Sequence, residues 1–198
     1  MTQRDRMLAN IRGALGGGRA VPQADSPIDL FEPQPRDLLP KQFAESLATL
    51  GGQVFEAANI AEARDRIHQL LAGHTFIATP APIVEACGFT TPFSRESCAA
   101  ADCGITSADF ALADTGSLVF LSESAESRLI SLLPPRHIAV IERDKILADL
   151  DELFARVPHP AAQSSSMVIV TGPSRTADIE MRLVRGVHGP GEITVIIV

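Results

Sequence analysis

Ile193-Thr194-Val195-Ile196-Ile197-Val198 is an almost uninterrupted apolar run at the end of the sequence. Similar runs lie upstream, at 118–121 (LVFL), 137–141 (HIAVI) and 167–170 (MVIV). Strands of this composition are buried on both faces, which is typical of a parallel sheet covered by helices. We therefore predict a mostly parallel sheet.

Segments with helical spacing separate several of these strands. Asn59, with Glu62 three residues later, predicts the start of one helix, and Asp144 predicts the start of another that reaches Val157. The alternation of strands and helices predicts an α/β fold, a three-layer α/β/α sandwich. Because ligands of such sheets usually bind at the carboxyl ends of the strands, we expect the chemistry there.

The first 40 residues have a different composition. Residues 4–15 have helical spacing, Gly16-Gly17-Gly18 ends that helix, and prolines recur as far as Pro40. We predict an N-terminal helix with a Pro/Gly-rich arm over residues 1–40. Residues 41–198 are predicted to form one α/β domain, in agreement with a length of 198 residues.

Charge and composition exclude several classes of protein. The net charge of −7 argues against nucleic-acid binding, and no apolar run is long enough for membrane insertion. Three cysteines and an N-terminus with no apolar core behind it predict a cytoplasmic protein. Phosphate-loop and dinucleotide fingerprints are absent, and no histidine has a partner at metal-ligand spacing, so we expect no metal site.

A first candidate site lies in residues 105–119, ITSADFALADTGSLV. Asp114 stands between two short strands and is predicted either to form a hairpin turn or to act as a base or nucleophile at a pocket rim. The Gly116 amide could approach a ligand there, with the hydroxyl groups of Thr115 and Ser117 beside it.

A second candidate is TGPSRTADIE, residues 171–180, which follows a buried strand and is predicted to open a helix over 176–185. Amides near Gly172, the Ser174 and Thr176 hydroxyl groups and Arg175 could bind a carboxylate or phosphate. The other interpretation is a capped turn with no ligand.

Two acidic residues favour a carboxylate over a phosphate in this segment. Asp178 and Glu180 would lie in the first turn of the predicted helix and complement its dipole. They would repel a strongly charged phosphate, so a monocarboxylate fits better.

A third candidate is GVHGPG, residues 186–191. His188 could perform acid–base chemistry near neutral pH, with the Gly189 backbone beside it, or it could be a structural or exposed histidine. We expect all three segments to converge on one pocket for an organic anion.

Three longer segments, ITSADFALADTGSLVF, SLLPPRHIAVIERDKI and TGPSRTADIEMRLVRGVHGPGEITVIIV, resemble the lactate-utilisation protein C family, the LUD-domain proteins, in order and spacing. The resemblance covers residues 41–198. It implies a fold similar to the sugar-phosphate isomerase and CoA-transferase superfold. Family members commonly have Glu at the position of Asp114 and Thr at that of Ser117.

The resemblance also implies a role in oxidising L-lactate to pyruvate with two iron–sulfur partner proteins, one of them cysteine-rich and the other larger. It implies no cofactor in this chain, because the clusters belong to the partners. On this hypothesis Asp114 and His188 are catalytic. The residues expected to bind lactate or pyruvate are Thr115, Gly116, Ser117, Gly172, Ser174, Arg175, Thr176 and Gly189.

Two further functions remain open. The chain could be a stand-alone isomerase or acyl-CoA transferase, with Asp114 as its acid–base or nucleophilic group. It could also be a non-catalytic assembly or regulatory module that docks on partner subunits. The sequence predicts no particular oligomeric state.

Overall fold

The structure is a computed structural model that describes residues 2–15, 35–122, 125–160, 164, 166–177 and 183–198. The chain divides into two units, Met1–Glu32 and Pro33–Val198. In the first unit the predicted helix is present as α1 (Gln3–Leu15). The described side chains of α1 are exposed, including Met7 at 60% and Ile11 at 49%.

The second unit holds the remaining helices and the strands. Its described helices are α2 (Leu39–Thr49), α3 (Ile60–Leu71), α4 (Pro82–Ala86), α5 (Arg95–Ala100), α6 (Ala125–Leu132) and α7 (Leu150–Arg156). Its described strands are β1 (Gln53–Glu56), β2 (Phe76–Ala78), β3 (Cys103–Ser107), β4 (Phe110–Leu112), β5 (Ser117–Ser122), β6 (Arg136–Ile141), β7 (Ile146–Leu147), β8 (Ser166–Thr171), β9 (Arg175–Ala177), β10 (Leu183–Arg185) and β11 (Glu192–Ile197). None of the described helices is both long enough and apolar enough to cross a bilayer.

The central sheet has the order β1-β11-β6-β3-β2, and its strands pair in parallel. The predicted α/β class, with a mostly parallel sheet flanked by helices, is confirmed. The apolar runs at 137–141 and 193–198 form its middle strands, where both faces are buried, as the composition of these runs predicts.

Alternate residues of the central strands face different layers. Ile138 and Val140 pack in the core that α3 and α4 contribute to. Ala139 and Ile141 pack in the core that contains the buried side chains of α2. One strand therefore connects two cores, which explains why both of its faces are apolar.

A second, smaller sheet was not predicted, and the expectation that the runs at 118–121 and 167–170 belong to the parallel sheet is wrong, because they form β5 and β8 of this smaller sheet. Its order is β7-β4-β5-β8, with antiparallel pairing on both sides of β5. Leu118 and Phe120 of β5 share the core of α2 and the central sheet, while Val119 packs with Leu153 of α7. The helical layer on this side of the central sheet thus also contains strands.

Close packing of α6 against β3 depends on Gly104. A Cβ at this position would lie 2.0 Å from the carbonyl oxygen of Ile130. Since no side chain can occupy that space, the helix backbone lies directly against the strand.

The predicted helix over 176–185 is wrong in its described parts. Residues 175–177 and 183–185 are β9 and β10, which pair antiparallel with Arg175 opposite Arg185. Ser174 and Thr176 therefore cap no helix, and the argument from a helix dipole does not apply. Asp178 and Glu180 lie outside the described residues. Hydrogen bonding between segments about eight residues apart overrides the local helical spacing.

The predicted helix start at Asp144 is also wrong. Residues Arg143–Lys145 form a 3-10 turn, and Ile146 and Leu147 pair with β4. The helix begins after Asp149, whose carboxylate accepts a hydrogen bond from Glu152 N at 2.9 Å. The predicted cap at Asn59 is confirmed, since its Oδ1 accepts from Glu62 N at 3.0 Å.

Candidate functional site

One cavity, of about 420 Å³, brings together five of the residues that the sequence singled out. Its lining includes Gly172, Ser174 and Arg175 from one predicted segment and His188 and Gly189 from another. Leu50, at the end of α2, and Leu132, at the end of α6, add apolar wall. The cavity thus combines an apolar surface with a cation, a hydroxyl group and an imidazole.

Backbone hydrogen bonds hold the two segments together at Ser174. Its N–H donates to the Pro190 carbonyl at 2.8 Å, and its carbonyl accepts from Gly186 N at 3.0 Å. The Ser174 Oγ accepts a long hydrogen bond of 3.3 Å from His188 N. Ser174 therefore positions the His188 loop. The imidazole ring itself is exposed, while hydrogen bonds to Gly186 and Pro190 hold the backbone on either side of it.

The cavity lies at an unexpected edge of the central sheet. Gly189 and Pro190 precede β11, and Ile193 is the second residue of that strand. The cavity is therefore beside the amino end of β11. The expectation of chemistry at the carboxyl ends of the parallel strands does not hold for these residues, because they approach from the smaller sheet and the β9–β10 hairpin.

Arg175 has a second arginine beside it. In the hairpin Arg185 is directly opposite, and a Cβ at Gly51 would lie 2.9 Å from Arg175 Nη2 and 3.5 Å from Arg185 Nη2. Neither guanidinium group has an ion-pair partner among the described residues. Like charges that face each other across two strands disfavour the pairing, so an anion bound between them would be stabilising.

Sequence reasoning did not select Arg185, because it placed residues 176–185 in a helix. The spacing of ten residues between the two arginines carries no signal until the strands are paired.

Asp114, Thr115, Gly116 and Ser117 do not line this cavity. They form the predicted turn between β4 and β5. The Asp114 carboxylate accepts from Thr115 N at 2.7 Å and from Thr115 Oγ1 at 3.1 Å. The turn therefore satisfies the carboxylate locally.

Gly116 contacts α2 rather than a cavity. Its φ is +66°, its N–H donates to the Leu112 carbonyl at 2.9 Å, and a Cβ would lie 2.4 Å from Leu47 N. Ser46 of α2 also donates to the Ala113 carbonyl at 2.8 Å. This turn attaches α2 to the smaller sheet, which gives Gly116 a structural role.

A chain of hydroxyl groups nevertheless connects Asp114 to the cavity. Thr115 Oγ1 donates to Asp114, and Ser117 Oγ donates to Thr115 Oγ1 at 2.8 Å. Because the Ser117 proton is used there, the contact of 2.8 Å with Thr171 Oγ1 has Thr171 as its donor. Thr171 lines the cavity, so three hydroxyl groups lead from its wall to the carboxylate.

Thr176 lies in β9, where its backbone pairs with Val184. In the part of the chain that the structure describes, no group of three or more His, Cys, Asp or Glu side chains could hold a metal ion. The thiols of Cys87, Cys98 and Cys103 are free and buried. Burial raises the pKa of Cys103 to about 11, which disfavours the thiolate that ligates metals.

Comparisons with known proteins agree on one family. The model of the LUD domain matches residues 87–198. Lactate utilization protein C from Halalkalibacterium halodurans is 28% identical over 95% of this chain and 94% of its own length. The protein of the same name from Anoxybacillus flavithermus is 31% identical over 73% of each chain.

A solved structure supports the fold. The crystal structure of a DUF162 family protein from Deinococcus radiodurans superposes with a TM-score of 0.63 at 23% identity. It covers 83% of this chain and 99% of its own. The similarity of fold extends beyond the residues that the LUD domain matches.

Proposed function

Because this chain belongs to the LUD domain family, we propose that it is a subunit of a cytoplasmic system that oxidises L-lactate to pyruvate with iron–sulfur partner proteins. Relatives named lactate utilization protein C, one aligned over nearly the whole chain, support a role in lactate utilisation. The observation that supports a substrate site is the cavity that Arg175 and His188 both line.

In this proposal Arg175 binds the carboxylate of lactate. A guanidinium group can donate two parallel hydrogen bonds to a carboxylate, and Arg185 adds a second positive charge beside it. Lactate carries a single carboxylate and a methyl group, which suit a cavity that also has leucine walls. Gly172, Ser174 and Gly189 supply backbone and hydroxyl groups around the substrate.

Oxidation of lactate removes two protons and two electrons. In this proposal His188, which lines the cavity, takes the hydroxyl proton directly. Asp114 would act only through Thr171, Ser117 and Thr115, whose donors all point toward its carboxylate. The Cα–H bond of lactate would break with its electron pair, and this hydrogen and both electrons would pass to the partner proteins, since this chain has no motif for a redox cofactor.

The test is to purify this chain together with its iron–sulfur partners and to measure lactate-dependent electron transfer. We expect transfer to require this chain, and equal rates without it would contradict the proposal. The Arg175→Gln variant should lower kcat/KM for L-lactate about 10- to 100-fold through a lost charged hydrogen bond. Arg95→Gln, an exposed arginine in α5, is the matched control and should not change it.

The same variants test the assembly role. The exposed apolar stripe of Met7, Leu8 and Ile11 on α1 favours a docking function as the second candidate. A pure assembly module would keep full electron transfer in the Arg175→Gln variant as long as the partners still co-purify with it.

A further inference from the structure

A second cavity, of about 260 Å³, lies at the carboxyl ends of three neighbouring strands of the central sheet. Thr79 directly follows β2, Thr106 and Ser107 end β3, and Lys145 is in the turn after β6. This edge is where open α/β sheets bind their ligands. None of the residues predicted for the substrate lines this cavity.

Thr79 carries the observation that points to a ligand. The residue is only 6% exposed, and its Oγ1 has no hydrogen-bond partner among the described residues. Its backbone is held, because its N–H donates to the Ile105 carbonyl at 2.9 Å. A buried hydroxyl group without a partner is destabilising, and here it borders a cavity in which a ligand could satisfy it.

The surrounding polar groups are already positioned. Thr106 Oγ1 is 2.7 Å from Nε2 of the buried His137, and Asp109 accepts from Leu121 N at 2.7 Å. Pro80 and Phe120 form apolar walls. The site is therefore organised by the fold before any ligand binds.

Charge orients the ligand. Lys145, which pairs with Glu142, is about 40% exposed and forms the cationic part of the lining. The negative charge of Asp109, whose carboxylate accepts from Leu121 N, disfavours an anionic group near it. We propose that this cavity binds a small organic anion that carries a hydroxyl group, with the hydroxyl group on Thr79 and the anionic end near Lys145. This proposal does not depend on the proposed function.

The test is an NMR titration of backbone amide resonances with L-lactate, propionate and glycerol 3-phosphate. Propionate is L-lactate without its hydroxyl group, so it isolates the contribution of Thr79. We expect L-lactate or glycerol 3-phosphate to shift the amide resonances of Thr79, Ala81 and residues 106–109, and the tighter of the two identifies the anionic group as carboxylate or phosphate. Propionate should bind there about tenfold more weakly than L-lactate.

Thr79→Val is the decisive variant, because it keeps the shape and removes only the unpartnered hydroxyl group. Its melting temperature should be unchanged or higher, while affinity for the hydroxylated anions at this cavity falls about tenfold. Thr194→Val in β11 is the matched control, since Thr194 lines neither cavity. Lys145→Gln should weaken all three anions.

Three results would overturn the site: amide shifts confined to residues 172, 174, 175, 188 and 189, equal affinity for L-lactate and propionate, or unchanged binding in a folded Thr79→Val variant. The first of these would leave the proposed lactate cavity intact, so the two proposals fail separately. A loss of lactate-dependent electron transfer only in the Arg175→Gln variant, with binding at residues 79–81 retained, would support both.

Discussion

Individual residues in this protein make unfavourable interactions that a bound molecule could compensate. Arg175 and Arg185 face each other without an ion-pair partner among the described residues, where the buried Thr79 hydroxyl group also has no hydrogen-bond partner. Both features are unfavourable for the folded protein. In contrast, His137 is buried and paired with Thr106, and its cost appears only when it is protonated.

Arg185→Gln should separate stability from binding. Removing one of two facing cations relieves repulsion, so the melting temperature should be unchanged or higher. The affinity for L-lactate at the Arg175 cavity should fall about five- to tenfold. Thermal unfolding with and without L-lactate measures both quantities. A lower melting temperature with unchanged affinity would show that Arg185 is structural.

Acid should destabilise the protein through His137. Burial lowers the pKa of this imidazole from 6.5 to about 4, so the unfolded chain binds its proton before the folded protein does. Stability contributed by the neutral ring is complete above about pH 6.5 and is lost as the pH falls toward 4. The loss is of the order of 3 kcal/mol.

Urea unfolding of the wild type and His137→Asn between pH 4 and 7 tests this prediction. The difference in unfolding free energy between the two proteins should shrink with acid. The ring resonances of His137 should also show no titration above pH 5. A ring that titrates near its ordinary pKa of 6.5 would contradict the argument.

At the scale of elements, two helices begin in the same way. Asn59 and Asp149 each accept from the amide of a glutamate three residues later, Glu62 or Glu152. Each glutamate in turn accepts from the amide that precedes the capping residue, at Ala58 and at Ala148, both at 2.8 Å. This reciprocal pattern distinguishes Asp149 from Asp144, which has no glutamate at that spacing.

Asp149→Ala should therefore lower the free energy of unfolding by about 1 kcal/mol. Asp144→Ala is the matched control and should change it by less than about 0.5 kcal/mol, because Asp144 is exposed in the 3-10 turn. Urea denaturation of the two variants makes the comparison. Equal effects would mean that the helix is not capped at Asp149.

At the scale of the whole second unit, α2 is the element that joins the two sheets. Phe43 is fully buried in a core shared by the central sheet and the smaller one. In the same helix, the backbone of Leu47 packs against Gly116 of the β4–β5 turn. Leu50, directly after the helix, lines the cavity. Packing of α2 thus positions Leu50 at the cavity.

Phe43→Ala should lower the free energy of unfolding by about 3–5 kcal/mol, as expected for a large aromatic removed from a core. Phe154→Ala, at 45% exposure on α7, is the control and should cost less than about 1.5 kcal/mol. Chemical denaturation gives both values. A small effect at Phe43 would mean that α2 is not a structural link.

Local patterns predicted much of this fold and less of the candidate site. The apolar runs at 137–141 and 193–198 became adjacent parallel strands, and Asn59 became a helix cap. The predicted helix over 176–185 is wrong because its described residues pair as two antiparallel strands, which no local periodicity encodes. For the same reason sequence reasoning did not select Arg185. It did not select Thr79 because only the tertiary structure shows that its buried hydroxyl group has no hydrogen-bond partner among the described residues.

The amino-acid sequence by itself determined the α/β class, since central strands that are buried on both faces of the sheet require continuous apolar runs. It also carried the family resemblance, because the order and spacing of residues are properties of the chain alone. Only the tertiary structure decided which polar groups meet. It placed Arg175 and His188 in the lining of one cavity, connected Asp114 to the wall of that cavity only through three hydroxyl groups, and placed Thr79 at another cavity. Contacts between distant segments follow from strand pairing and helix packing rather than from spacing along the chain.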